Sequence, residues 1–279
     1  MSISWGALVV VLGMMAGCER DPDSTTDSQS TGDGDPAVEA AAIADASGDC
    51  SLTMGWDPWE PYQYTDVDGN VRGLDVELVS AISSGAGCAL DFVERDWKTL
   101  LRMLETGEVD FMPGATMTEK RLKFALFSEP YRTESFILYV AAGDDRDRDA
   151  TFREMLQDGF RVGITEGYYY GEAIAELQDD DRITDQFSAV QFGESNFERL
   201  NNGEIDGFLE DPVVAAAIMR RKGFEEQIEA HTIRITSGDV RLMFSRASVN
   251  PDVVERLNLS LANLKSEGRY DQILAKWGN

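Results

Sequence analysis

The stretch from residue 51 to 116 sets the tightest limit on the fold, because short apolar runs alternate there with longer amphipathic ones. SLTMGW, ALDFVE and VDFMPG have strand length. Between them, a segment starting near Leu74 and the segment WKTLLRMLETG have helical character. Leu74, Leu78, Val79 and Ile82 fall on one helical face, and Gly107 stands where a helix commonly stops. Strand, helix, strand, helix, strand in that order predicts an α/β architecture with a parallel sheet covered by helices.

A second block alternates in the same way, with FRVGIT, AVQF and IDGFLE as strands, and GEAIAELQ, NFERLNNG and PVVAAAIMRRKG as helices. Two extended segments, ESFILYVAAG and TIRITSGDVRLMFSR, join the blocks, so the chain leaves one lobe, builds another and returns. After Pro251, Val253, Val254, Leu257, Leu261 and Leu264 form an apolar helical face that is expected to pack back on the first lobe. The expected organisation is lobe one at 51–140 and 238–279, and lobe two at 141–237.

Composition excludes several functions. With 25 basic and 51 acidic residues the net charge is −26, which repels nucleic acid and anionic bilayers. One His and three Cys leave too few ligands for a zinc finger or an iron–sulfur cluster, and no His-based triad with parts to spare. No metal or cofactor is expected. Asp66, Asp68, Asn70 and Glu77 have EF-hand-like spacing, but Val71 stands where that loop needs Gly, and Gly69-Asn70 reads more simply as a hairpin tip.

Ligands of open α/β sheets bind beyond the carboxyl ends of the strands, which directs attention to WDPWEPYQY, PGATMTEKR, TEGYYYGE and EDP. Thr118 is a helix N-cap candidate that places Arg121 in the first turn, where a bound anion would be welcome, with Gly114 and Thr116 as further donors. A surface Arg in a loose ion pair is the competing reading. Asp211 before Pro212 has the form of a helix cap, and it also stands where an ammonium group could be received. Asp57, Glu60 and Glu166, with Trp56, Trp59, Trp97, Tyr168, Tyr169 and Tyr170, make an acidic and aromatic set suited to a cationic side chain. General acidity of the chain would give the same acids.

The ordered segments GWDPWEPYQY, DVDGNVRGLDVEL, WKTLLRMLETGEVDF, GATMTEKR, FSEPY, NNGEIDGFLED and SEGRYDQILAKWG resemble the extracellular solute-binding proteins, family 3, which serve bacterial ABC importers of amino acids. The resemblance covers residues 51 to 279 and implies a two-lobed α/β fold of the type II periplasmic-binding-protein kind, each lobe a mainly parallel sheet flanked by helices. It also implies a free amino acid as ligand, with ABC permease subunits as partners of a monomer; the acidic and aromatic set above adds a preference for a polar or basic one. By the same resemblance Arg121, helped by Gly114 and Thr116, takes the α-carboxylate, Asp211 the α-ammonium, and Trp59 stacks on the ligand. Asp57, Trp97, Glu166, Tyr168 and Tyr169 complete the expected site, and no catalytic residue is implied. The three tyrosines replace small hydroxyl residues common in relatives, and Pro113-Gly114 replaces a common Ser, so selectivity is not borrowed. Alternatives are a cyclohexadienyl-dehydratase-like enzyme on this scaffold, with Glu166 as acid or base, and a sensing module for a membrane partner.

Residues 3 to 16 are nearly all apolar and too short for a span of about 20 residues, as in an export signal. Met15-Ala16-Gly17-Cys18 resembles a lipobox, which makes 1–17 a signal peptide and Cys18 the lipidated residue, although Met15 replaces the usual Leu and no Lys or Arg precedes the run. A plain secretory signal is the alternative. Residues 18–50 then form an acidic flexible tether, and the protein lies in the periplasm or at the cell surface, touching the membrane through the lipid anchor alone. Cys50 and Cys88 each precede a strand-like run, so a disulfide joining neighbouring parallel strands is reasonable, two buried thiols being the alternative.

Overall fold

A computed structural model describes residues 50–144 and 149–278; the expected signal peptide, Cys18 and the tether up to Asp49 lie outside the described residues. Strands β1 (Cys50–Trp56), β4 (Cys88–Glu94) and β5 (Phe111–Thr116) form a parallel trio in the order β4-β1-β5. Cys50 and Cys88 are register partners, with Cα atoms 4.5 Å apart, and their sulfurs are bonded. Helix α1 (Leu74–Gly85) buries Leu74, Leu78, Val79 and Ile82, the face that the spacing predicts. Helix α2 (Trp97–Thr106) starts on an Asp96 cap and stops at left-handed Gly107, the stop being as predicted. Ahead of α1, β2 (Tyr64–Thr65) and β3 (Val71–Arg72) make the expected hairpin, with Gly69 at φ 82 in its tip. Asp66 Oδ1 accepts from the N–H groups of Asp68 and Asn70 and holds that turn together.

A second parallel trio, β10-β8-β9, comprises β8 (Val162–Thr165), β9 (Phe187–Val190) and β10 (Gly207–Glu210). β9 lies two residues earlier than the AVQF run suggests, because its ladder ends where β8 ends, at the pair Thr165 and Val190. Gln191 and Phe192 pass beyond it. Around this trio lie α4 (Phe152–Gln157), α5 (Glu172–Gln178), α6 (Ser195–Asn201) and α7 (Pro212–Lys222). Helix α4 opens on a reciprocal capping box between Thr151 and Glu154, a T-x-x-E pattern that the sequence carries but that was not among the expected helix starts.

The two trios are not separate sheets. β7 (Arg132–Ala141) and β11 (Ile228–Ser245) run antiparallel to each other along most of their length. β11 pairs with β5 on one side and β7 with β10 on the other, so the ladder is continuous through nine strands, β6 (Ala125–Phe127) joining β11 off the main path. Apolar residues of both trios and both crossing strands, among them Trp56, Phe136, Leu138, Phe208 and Phe244, share one core. Helices α8 (Pro251–Ser266) and α9 (Arg269–Lys276) pack on α1, with Val254, Leu257, Leu261 and Leu264 buried and Val253 half-buried.

Candidate functional site

The short helix α3 (Glu119–Leu122) follows β5 and is capped by Thr118, whose hydroxyl accepts from the Arg121 N–H at 3.2 Å. The cap turns Arg121 inward, leaving it 7% exposed. Its Nη1 donates to Thr116 O at 2.8 Å and its Nη2 to Gly167 O at 3.1 Å, and the guanidinium lies 5.6 Å from the centre of the Trp97 ring. Trp97 Nε1 donates to the same Gly167 carbonyl at 3.1 Å. Gly167 needs its φ of 79 to offer that carbonyl, and a Cβ there would come within 3.2 Å of both Leu101 and Trp97. Burial lowers the Arg121 guanidinium to about 10, with Glu134 and Tyr169 acting the other way, so Arg121 stays charged at neutral pH with donors to spare.

Arg121 lines a narrow cavity together with Asp57, Trp59, Trp97, Gly114, Thr116, Tyr168 and Tyr169, all expected from the sequence. The Asp57 carboxylate accepts from Tyr168 Oη at 2.7 Å and from Gln63 Nε2 at 3.1 Å, and burial pushes it up to about 6. Trp59 stacks on Tyr62 with centroids 4.7 Å apart and donates from Nε1 to Glu210 Oε1 at 3.0 Å. Glu210 is buried, also accepts from the Asp211 N–H at 2.9 Å, and is raised by burial to about 8. Gly114 lines the cavity, but its N–H is spent on Tyr131 Oη at 2.8 Å. Tyr169 Oη donates to Glu172 Oε2 at 3.0 Å, while Tyr170 lies in the core and accepts from the Thr165 N–H.

Two expected residues are placed elsewhere. Glu166 faces Lys98 Nζ at 3.2 Å in a half-exposed ion pair and does not line the cavity. Asp211 is buried and not among the residues that line the cavity: its Oδ1 caps α7 by accepting from Val213 and Val214 at 2.8 and 3.2 Å, and Tyr62 Oη lies 3.5 Å from both its oxygens. Conversely, Glu134 and Phe136 line the cavity from outside the expected loops, and Gln63 and Pro113 line it from within them without being named as site residues. Glu134 was open to detection as the one charge at the head of the otherwise buried run ESFILYV. Burial raises its carboxyl to about 7, opposed mainly by Arg132.

Contacts across the cleft are closed ones. Tyr168 reaches Asp57, Trp59 reaches Glu210, Arg121 and Trp97 reach Gly167, and Arg221 Nε reaches Glu60 Oε2 at 3.0 Å. Each joins the segment that carries β1, α2 and β5 to the one that carries β8, β10 and α7. The cavity brings one cation, Arg121, together with two buried acids, Asp57 and Glu134, and aromatic walls.

The model of the bacterial extracellular solute-binding proteins, family 3, matches residues 52–279, and the chain belongs to that family. It is similar to a probable histidine-binding protein of Neisseria gonorrhoeae, 25% identical over 256 residues that cover 88% of each chain. It is also similar to an arginine-binding periplasmic protein of Mannheimia haemolytica, 25% identical over 78% of this chain and 87% of the relative. An ancestral arginine-binding protein solved with arginine has a similar fold, with a TM-score of 0.71 and 24% identity over 82% of this chain and 98% of its own. The fold is thus the expected two-lobed, periplasmic-binding-protein-like α/β arrangement.

Proposed function

We propose that this protein captures a free amino acid with a basic side chain between its lobes, outside the cytoplasm, and delivers it as a monomer to an ABC importer. The observation that carries the reading is the cavity itself: Arg121 stands among its walls with Asp57, Glu134 and the rings of Trp59, Trp97 and Tyr168. Arg121 has spare donors for the ligand's carboxylate. Asp57, held between a tyrosine hydroxyl and an amide, takes the side-chain cation, and the aromatic rings add cation–π attraction. Two relatives whose names specify arginine and histidine binding support the same ligand class.

Closure follows from the division of the site. In this reading 51–140 and 238–279 form one lobe and 141–237 the other. Arg121 and Asp57 belong to the first lobe, and the second brings Tyr168 onto Asp57 and the Gly167 carbonyl onto Arg121. A ligand that orders Arg121 and Asp57 therefore favours the closed population. The lipid anchor at Cys18 would hold the protein near its permease.

Mass spectrometry of the protein purified under native conditions tests the reading. It is expected to show a bound mass that matches a basic amino acid and is lost on unfolding and refolding. Incubation with prephenate or arogenate is expected to leave both unchanged, and turnover of either would replace this reading with an enzymatic one.

A further inference from the structure

We propose that Tyr168 determines which side chains the cleft accepts, because it occupies the seat that Asp57, Trp59 and Trp97 offer to a ligand's cation, and only a charged side chain long enough to reach Asp57 displaces it; this rests on the amino-acid reading above. Tyr168 Oη donates to Asp57 Oδ2 at 2.7 Å, a bond between residues 111 apart in the chain that crosses the cleft. Its ring stands edge-on to both tryptophans, with centroids 5.5 Å from Trp97 and 6.2 Å from Trp59. All four side chains line one narrow cavity. A donor on the Asp57 carboxylate, set among aromatic rings, is the contact that a ligand's guanidinium or ammonium would itself make there. Tyr168 therefore stands as a rival to the ligand's side chain.

The loop that carries Tyr168 is fixed independently of its phenol. Gly167, at φ 79, presents its carbonyl to Arg121 Nη2 and Trp97 Nε1, each at 3.1 Å. Tyr169 Oη donates to Glu172 and Tyr170 Oη accepts from the Thr165 N–H, so both hydroxyls are engaged close by in the chain. Tyr168 differs from them in bonding across the cleft. Withdrawing it needs a change of rotamer at one side chain, with the Gly167 contacts left in place. Burial and the adjacent Asp57 carboxylate hold the phenol well above its ordinary range, so it stays a neutral donor. Both Asp57 oxygens already have a donor, Gln63 Nε2 being the other. A guanidinium or ammonium adds Coulomb attraction that the phenol lacks and takes the contact over. A side chain that stops short of Asp57 leaves the phenol where it is.

Calorimetry on the full chain at neutral pH tests this with L-arginine and with L-α,γ-diaminobutyrate, a basic amino acid whose ammonium lies closer to the α-carbon. Wild type is compared with Tyr168→Phe, which keeps the ring and removes the bond to Asp57, and with Tyr168→Ser, which also clears the seat. L-arginine is expected to bind about tenfold more tightly to Tyr168→Phe than to wild type, the scale of one hydrogen bond to a charged group, and at least as tightly again to Tyr168→Ser. The shorter ligand is expected to change by less than about threefold in both, so the preference for the long side chain rises. Thermal melting of each variant reports folding, and tighter binding by a variant that melts lower is a pairing that a merely structural tyrosine would not give. Unchanged or weaker binding of L-arginine to Tyr168→Phe overturns the proposal, as do equal gains for the two ligands. If neither wild type nor Tyr168→Ser binds either ligand, the amino-acid reading fails and this one with it; if wild type binds them and neither variant binds more tightly, only this inference is lost.

Discussion

Replacing Arg121 with Ala removes the group on which the carboxylate end of the ligand depends, and the cost follows from the geometry. Two of its donors go to the Thr116 and Gly167 carbonyls, which leaves donors free for a two-pronged grip on a carboxylate. A hydrogen bond to a charged group contributes about 1.5–3 kcal/mol, so losing two costs roughly 3–6 kcal/mol, a rise in Kd of about a hundredfold to ten-thousandfold. Lys120, its exposed neighbour, is the control, and Lys120→Ala is expected to change Kd by less than about threefold. The assay is calorimetry with L-arginine, alongside thermal melting to show that each variant is folded. Because Arg121→Ala also strands the Thr116 and Gly167 carbonyls, Arg121→Lys, which keeps a charged donor but loses the two-pronged fork, serves as a second variant. Equal affinity losses in the Lys120 and Arg121 variants, or none in either, would refute the reasoning.

Other outcomes follow from the same structure. Asp57, Glu134 and Glu210 are raised to about 6, 7 and 8 in the folded protein, whereas unfolded carboxyls titrate near about 4. The folded state therefore binds the extra protons, so stability from these groups is full below about pH 4 and is lost as pH rises through about 8. The ligand-free protein is expected to melt at a lower temperature at pH 8.5 than at pH 5, with Glu210→Gln flattening the slope; a rising profile would contradict this. Reducing the Cys50–Cys88 bridge, whose sequence separation is 38, is expected to lower unfolding free energy in urea by about 4 kcal/mol from chain entropy. No change in the urea midpoint would show that the bridge contributes nothing.

What the sequence made legible was local. Thr118, Asp211, Gly107 and the apolar face of α1 each have a role set by residues within a turn or two, and each is found in that role. The disulfide was legible for a related reason, since two strand starts define it. What escaped depends on long-range register. Glu134 enters the cavity because β7 pairs with a bulged β11 about a hundred residues further along the chain. Joining the two trios into one ladder needs the same pairing, and neither extended segment encodes its partner. Asp211 shows the converse: its role as a cap is local and legible, while its contact with Tyr62 Oη depends on tertiary packing across 149 residues of chain.

Calorimetric titration of the wild-type protein at neutral pH with L-arginine, L-lysine and L-glutamate tests the central claim most directly. Saturable binding of at least one of the two cationic amino acids at a single site, with no heat from L-glutamate, is the predicted result. Preference for L-glutamate, or silence with all three, would contradict a cleft that clasps a basic amino acid.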